Sequence, residues 1–142
     1  MRIEKLLIQV LCHATEDEEK VMKAVENVVG IEMMDKMKIT TNALKGYYGD
    51  PILMIKFETS DPETPMQIVR RVFSMLSEYE RIDVIQNCLE RGKHGGKLYI
   101  RLDKQAAYNN ILRLSNKDSI RIEAAIRGEV EKLANNLLNI IQ

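Results

Sequence analysis

The chain has 142 residues, of which 45% are hydrophobic, 30% charged and 5% aromatic. This composition predicts one folded domain over residues 1–142 with an aliphatic core, and it argues against a disordered chain or a fold that depends on a metal or a disulfide. Basic and acidic residues balance at 21 each. That balance argues against a protein that coats nucleic acid through bulk charge.

Two cysteines and the first apolar stretch indicate the cellular compartment in which the protein is expected. Cys12 and Cys88 match no metal-binding or redox spacing, so we expect free thiols in apolar surroundings, as in a reducing compartment. The apolar run over residues 6–12 is interrupted by Gln9 and is too short to cross a membrane. These features predict a cytoplasmic protein that makes no membrane contact.

The first part of the chain predicts a strand followed by a helix. Residues 2–12 are rich in Leu, Ile and Val, which is typical of a mostly buried strand. Thr15-Glu-Asp-Glu18 matches a capping box, in which the Thr15 hydroxyl and the Glu18 carboxylate satisfy the free amides of a helix start. Valines then recur at helical spacing, and Gly30 is predicted to end the helix in the left-handed cap position.

The middle of the chain predicts a hairpin. Residues 36–44 and 52–57 have strand character, and the second run is interrupted only by Lys56. Between them lies Lys45-Gly-Tyr-Tyr-Gly-Asp-Pro51, whose glycines and Asp-Pro step mark a tight turn.

Two helices are predicted after the hairpin. Ser60-Asp-Pro-Glu63 resembles a second helix start, with proline tolerated in the first turn. A further helix over residues 80–91 is predicted to stop at Gly92.

The last third contains the two clearest strand patterns. Over residues 97–103 apolar and polar side chains alternate, so one face is predicted to build the core and the other to meet a partner. A short helical turn is predicted over Lys104–Tyr108, and residues 119–127 alternate in the same way. An amphipathic helix over residues 129–141 ends the chain. The order of elements predicts a single-domain α+β two-layer sandwich, with helices packed mainly on one face of a mixed β-sheet.

Catalysis is weakly supported by the sequence. His13 and His94 are the only histidines, and neither has the partners of a triad or the spacing of a zinc site. A metal-dependent hydrolase would need Glu16, Asp50 or Asp103 to converge on one metal site. We therefore expect no catalytic residue, no metal and no cofactor.

RNA binding has a stronger basis, because residues 91–127 hold nine basic residues against three acidic ones. Single-stranded RNA is typically held by a positive surface with aromatic rings on which bases stack. The phosphate contacts predicted here are Lys97, Arg101, Lys104, Arg121 and Arg127. Tyr99 and Tyr108 are the predicted stacking rings. A second contact zone is predicted at Lys45, Tyr47 and Tyr48 in the hairpin turn.

Two other interpretations remain open from the residues alone. The basic face can be an ordinary solvated surface, in which tyrosines pack against arginine stems. The protein can also be an assembly subunit that contacts only other proteins. One version of this interpretation uses the apolar pairs Leu137-Leu138 and Ile140-Ile141 of the last helix as the contact surface. In the other version the polar motif residues make hydrogen bonds within the fold and do not contact RNA. The residues concerned in the second case are Asp103, Gln105 and Thr15.

Three segments carry a family resemblance: His13-Ala-Thr-Glu-Asp-Glu-Glu-Lys-Val21, Gly46-Tyr-Tyr-Gly-Asp-Pro-Ile52 and Leu98-Tyr-Ile-Arg-Leu-Asp-Lys-Gln-Ala-Ala-Tyr108. In this order and spacing they resemble an archaeal family of predicted exosome-associated RNA-binding proteins. The resemblance implies a divergent version of the fold of ribosomal protein five of the large subunit. It also implies RNA binding in the company of RNA-processing proteins, and it carries no catalytic residue.

Overall fold

The computed structural model describes residues 2–140. The strands are β1 (Arg2–His13), β2 (Lys38–Lys45), β3 (Pro51–Thr59), β4 (Leu89–Arg91), β5 (Gly95–Asp103) and β6 (Ser119–Arg127). The helices are α1 (Glu18–Val29), α2 (Ile31–Met34), α3 (Thr64–Met75), α4 (Glu78–Asn87), α5 (Lys104–Tyr108) and α6 (Val130–Leu138). The predicted α+β class is confirmed.

The strands form one sheet in the order β2-β3-β1-β6-β5-β4. Every neighbouring pair is antiparallel, so the predicted mixed pairing is corrected. The strands β1 and β2, which α1 connects, do run in the same direction. They form no parallel ladder because β3 lies between them and pairs with both.

One face of the sheet builds the core with the helices. Along β1 the side chains of Leu6, Ile8 and Val10 are buried, whereas Leu7 and Gln9 between them are only partly covered. Successive side chains of a strand point to opposite faces, so the helices cover one face and leave the other accessible. We call the second face the open face.

Helix caps differ from the sequence prediction in two places. The helix α1 begins at Glu18 and is capped by Asp17, which accepts a hydrogen bond from the Glu19 amide at 2.9 Å. The predicted capping box from Thr15 is therefore wrong, because the chain first makes a turn in which Glu16 N–H donates to the His13 carbonyl. The predicted cap at Gly30 is confirmed, with φ of 91°.

At α3 the capping carboxylate is Asp61 rather than Ser60, since Asp61 accepts from the backbone and hydroxyl of Thr64 at 3.1 and 2.7 Å. These hydrogen bonds and one from the Thr59 hydroxyl lower the pKa of Asp61, with Thr59 making the largest contribution. A capping box that the sequence analysis missed, Ser77 with Glu80, begins α4.

The predicted helix over residues 80–91 ends early, at Asn87, and its last three predicted residues instead form the edge strand β4. Residues 111–114 form no strand and make a single bridge, between Leu114 and Leu102. In both cases pairing with the edge of β5 decides the local conformation, and helical spacing cannot reveal that.

The last helix packs its apolar stripe into the core. Val130, Leu133 and Leu137 are buried, while Leu138 and Ile140 are partly buried against the same core. Ile141, predicted to extend this stripe, lies outside the described residues. Within residues 2–140 there is no helix with the length and apolar character needed to cross a membrane.

Both cysteines in the described part of the chain are free thiols, as predicted. The likeness to ribosomal protein five stays a prediction, as does the extent of the domain over all of residues 1–142.

Candidate nucleic-acid interface

A row of polar side chains crosses four strands of the open face. In the ladder registers Lys56 of β3 lies opposite Gln9 of β1, Gln9 opposite Arg121 of β6, and Arg121 opposite Arg101 of β5. Side chains directly opposite each other in antiparallel strands share a face and are close neighbours. We call these four residues the cation row.

The cations of this row are not compensated by acidic side chains. No carboxylate of residues 2–140 lies within 4.0 Å of the side-chain nitrogens of Lys56, Arg101 or Arg121. Arg101 and Arg121 are both exposed. Like charges placed directly opposite each other are destabilising, so this arrangement costs stability and leaves positive charge available to an external anion.

An aromatic ring lies next to the row. Tyr99 precedes Arg101 by two residues on β5, so both side chains point to the open face. The Tyr99 hydroxyl donates to the Glu90 carboxylate at 3.4 Å. Partial burial and the Glu90 charge raise the pKa of Tyr99, so the hydroxyl stays neutral and the half-buried ring is held at the outer edge of the face.

Lys97 and Arg127 also lie on the open face, but each has an acidic partner. The Lys97 ammonium is 3.1 Å from Glu123, whose hydrogen bond raises the pKa of Lys97. The Arg127 guanidinium is 3.7 Å from Glu4. The structure thus places the predicted residues of β5 and β6 on one face, and it separates compensated cations from uncompensated ones.

Lys104 is in a different environment from the one predicted. Its side chain is turned inward and the residue is only 8% exposed. Its ammonium donates to the carbonyl of Leu11 and to a carboxylate oxygen of Glu16, both at 2.8 Å, and lies 3.0 Å from Asp118. Because protein oxygens already surround this ammonium, it is not available to a phosphate group, unlike the exposed Arg101 and Arg121.

The side chains around Lys104 form a compact ionic group, the Lys104 cluster, made of Lys104, His13, Glu16 and Asp118. His13 Nε2 is 3.1 Å from Asp118 Oδ1. Burial alone would raise the pKa of Asp118, but hydrogen bonds from Lys104 and His13 outweigh it, and the pKa is lowered. Ligand atoms of His13, Glu16 and Asp118 lie within 4.8 Å of one another. The Lys104 ammonium balances the negative charge of Glu16 and Asp118, which lowers their attraction for a metal ion.

The acidic residues that the hydrolase hypothesis required do not gather. In the described part of the chain, Asp50 and Asp103 do not join Glu16 in any group of ligand atoms within 4.8 Å. Asp103 instead caps α5 and accepts hydrogen bonds from the amides of Gln105 and Ala106. That internal use agrees with the protein-only interpretation for Asp103. It does not extend to Gln105 or Thr15, whose side chains make no hydrogen bond within residues 2–140.

Tyr108 lies in the helix layer rather than on the open face. It lines a pocket of about 500 Å³ formed between α1 and α5 together with Lys20, whose ammonium is 5.8 Å from the centre of the Tyr108 ring. Of the two predicted stacking rings, Tyr99 therefore lies on the open face and Tyr108 lies away from it. The pocket brings together residues from the first and third segments of the family resemblance.

The predicted second contact zone lies at the opposite edge of the sheet from β5. Tyr47 and Tyr48 are 94% and 91% exposed at the tip of the β2–β3 hairpin, with ring centres 4.9 Å apart in an edge-to-face arrangement. Lys45 ends β2 beside them. Three strand spacings separate β3 from β5, a distance of about 14 Å, so this turn is not adjacent to Tyr99.

Sequence analysis missed Lys56 and Gln9 as members of the interface. Each is the single polar interruption of an otherwise apolar run, in β3 and β1 respectively. A polar residue in such a run marks the face that the core does not cover. That signal is present in the sequence. The strand order that places Lys56 and Gln9 beside Arg121 cannot be read from the sequence.

Comparison with known proteins gives the family. Residues 5–126 match a protein family described as RNA binding. The chain belongs to this family. It is 28% identical over 121 residues to RNA-binding protein PAB1135 of Pyrococcus abyssi, covering 84% of this chain and 79% of that protein. It is 30% identical over 121 residues to MJ0213 of Methanocaldococcus jannaschii, covering 83% and 80%. The predicted membership in an archaeal RNA-binding family is confirmed.

Solved structures show the same fold. Protein SSO0741 from Sulfolobus solfataricus superposes with a TM-score of 0.74 at 21% identity, covering 94% of this chain and 93% of that one. Protein AF2318 from Archaeglobus fulgidus gives 0.71 at 23% identity, covering 96% and 99%. Both are described as DUF54 proteins. At these identities the likeness is evidence for the fold alone.

Proposed function

We propose that this protein binds RNA without catalysing a reaction on it, and that it does so through the open face of its sheet. The observation that carries the proposal is the cation row. Three cations from three strands share a face with one glutamine between them, and no carboxylate of residues 2–140 lies within 4.0 Å of them. The planar fork of an arginine side chain matches the oxygens of a phosphate group, so arginine can bind phosphate through two parallel hydrogen bonds.

Each residue of the face has a role in this proposal. Lys56, Arg121 and Arg101 contact successive phosphates, and Tyr99 stacks on a base beside Arg101. Lys97 and Arg127 contribute less, because a phosphate must first compete with Glu123 and Glu4. Lys45, Tyr47 and Tyr48 form a second contact zone for a longer RNA.

The setting of this activity is also part of the proposal. The resemblance to exosome-associated proteins supports a place beside machinery that processes or degrades RNA. The family description and the name of the Pyrococcus abyssi relative support RNA as the ligand.

The direct test is a fluorescence-anisotropy titration of the purified protein with a labelled single-stranded RNA and its matching duplex. Three neutralised phosphates predict a log–log salt slope of about −2, so affinity for the single strand should fall about 20-fold between about 50 and 200 mM salt. The double variant Arg101→Gln/Arg121→Gln should bind more weakly and lose only about 3-fold over the same range, because one contact remains.

The matched control is Arg70→Gln, which removes an exposed arginine from α3 on the helix side and should leave affinity and slope unchanged. An unchanged slope in the double variant would exclude the open face as the binding surface. Absence of binding at either salt concentration would instead favour a subunit that contacts only protein.

A further inference from the structure

The outer edge of β5 is only partly covered by its neighbours. The strand β4 pairs with it from Leu89 to Arg91, after which the Tyr99 amide donates to the Cys88 carbonyl at 2.9 Å. Two residues further along, the Arg101 carbonyl accepts from the Ser115 amide at 3.0 Å. Between these two contacts the edge opens into a pocket of about 450 Å³. We call it the edge pocket.

The edge pocket has an apolar floor and a polar rim. Residues buried or partly buried in the core form its floor: Val84, Ile100 and Leu114. Asp83 and Asn87 from α4 and Asn116 from the loop before β6 supply polar groups around it. Its volume and mixed lining are typical of sites that bind a flat organic group with a few directed hydrogen bonds.

The edge pocket is continuous with the cation row. Arg101 ends the row and also lines the pocket, as does Tyr99. Unpaired bases stack on tyrosine rings and on the planes of arginine side chains. An RNA strand whose phosphates lie on Arg121 and Arg101 would therefore present its next base to the mouth of this pocket.

We propose that the edge pocket takes one unpaired nucleobase and favours a base that carries an exocyclic amino group. This inference rests on the proposed function and deepens it, because it names the form of RNA that the site selects. In a duplex the hydrogen-bonding edge of each base is already paired and stacked, so only a single-stranded or bulged nucleotide can enter.

The preference for an amino group follows from Asp83. An ionised carboxylate accepts hydrogen bonds and donates none. One oxygen, Oδ1, accepts from the Asn87 amide at 2.6 Å, and Oδ2 has no hydrogen-bond partner among residues 2–140. Adenine, cytosine and guanine carry an amino donor that can reach such an oxygen, whereas uracil has a carbonyl at the position of the cytosine amino group. The one donor on the pairing edge of uracil, N3–H, lies between two carbonyl oxygens that repel a carboxylate, so uracil is the poorer partner.

The test compares three labelled oligomers of equal length by anisotropy: oligocytidine, oligouridine and an abasic sugar–phosphate chain. We expect the wild-type protein to bind oligocytidine about 10-fold more tightly than oligouridine and to bind the abasic chain most weakly. The variant Asp83→Asn keeps the size of the side chain and its acceptor for Asn87 while adding a donor. It should reduce the difference between cytidine and uridine to about 2-fold or less, and it should not weaken binding of the abasic chain, because it removes a negative charge and no phosphate contact.

The outcomes separate this inference from the proposed function. Salt-dependent binding of all three oligomers with equal affinity would overturn the edge pocket and leave RNA binding on the open face intact. A cytidine preference that persists unchanged in Asp83→Asn would also overturn it, because the preference would then arise elsewhere. Failure to bind any of the three would overturn both.

Discussion

Arg101 and Lys104 are three residues apart, yet they occupy opposite electrostatic environments. Arg101 lies exposed on the open face, faces another arginine across the ladder and has no carboxylate within 4.0 Å among residues 2–140. Lys104 is buried, with Glu16 and Asp118 at 2.8 and 3.0 Å. The Lys104 ammonium stabilises the fold through its ion pairs, whereas the charge of Arg101 makes no ion pair within residues 2–140. Basic residues that are close in sequence therefore need not share a function.

The largest expected effect comes from removing the buried cation. Lys104→Met should lower the free energy of unfolding by about 3 kcal/mol, because it leaves Glu16 and Asp118 without their partner and the Leu11 carbonyl without its donor. Urea denaturation measures this change. The matched control is Lys56→Met in the cation row, which should change stability by less than about 0.5 kcal/mol. Equal losses of unfolding free energy in Lys104→Met and Lys56→Met would contradict the difference between the Lys104 cluster and the cation row.

A smaller effect is expected from Asp118→Asn, which should cost about 1 kcal/mol near neutral pH because Glu16 still holds Lys104 and Asp118 is partly exposed. The pKa of Asp118 is lowered in the folded state. Its stabilising contribution is therefore fully present above the unfolded-state pKa of about 3.9 and is lost as the pH falls through the lower folded-state value. The advantage of the wild type over the variant should shrink below about pH 4 in denaturation curves. If the difference in unfolding free energy between wild type and Asp118→Asn stayed constant below about pH 4, the ion pair between Lys104 and Asp118 would be contradicted.

The smallest change in stability is expected in the cation row, where it should have the opposite sign. Arg121→Glu replaces an arginine pair with an opposite-charge pair across β5 and β6 and should raise the free energy of unfolding by about 0.5 kcal/mol. The same variant should lose RNA binding, since it places a negative charge in the phosphate path. Thermal denaturation and anisotropy measure the two effects. Arg121→Gln, which removes charge without reversing it, should lie between wild type and Arg121→Glu in both.

Part of the interface was predictable because strand alternation is a local property. The patterns of β5 and β6 assign Tyr99, Arg101 and Arg121 to outward positions from spacing alone, and the structure places all three on the open face. The helical turn that follows β5 breaks this rule. Its first residue, Lys104, points inward, because a carboxylate from each of two distant segments and the Leu11 carbonyl form a site for its ammonium.

The α+β class, the cap at Gly30 and the outward side chains of β5 and β6 follow from the sequence alone, because they depend on spacing within a few residues. The sequence also determined the family, through segments spread along the chain. The strand order is visible only in the folded protein, where β1 lies between β3 and β6 and so brings Lys56 and Gln9 into one row with Arg121. Strand order depends on how separate elements share one core, and no local pattern records which strand will be the neighbour of another.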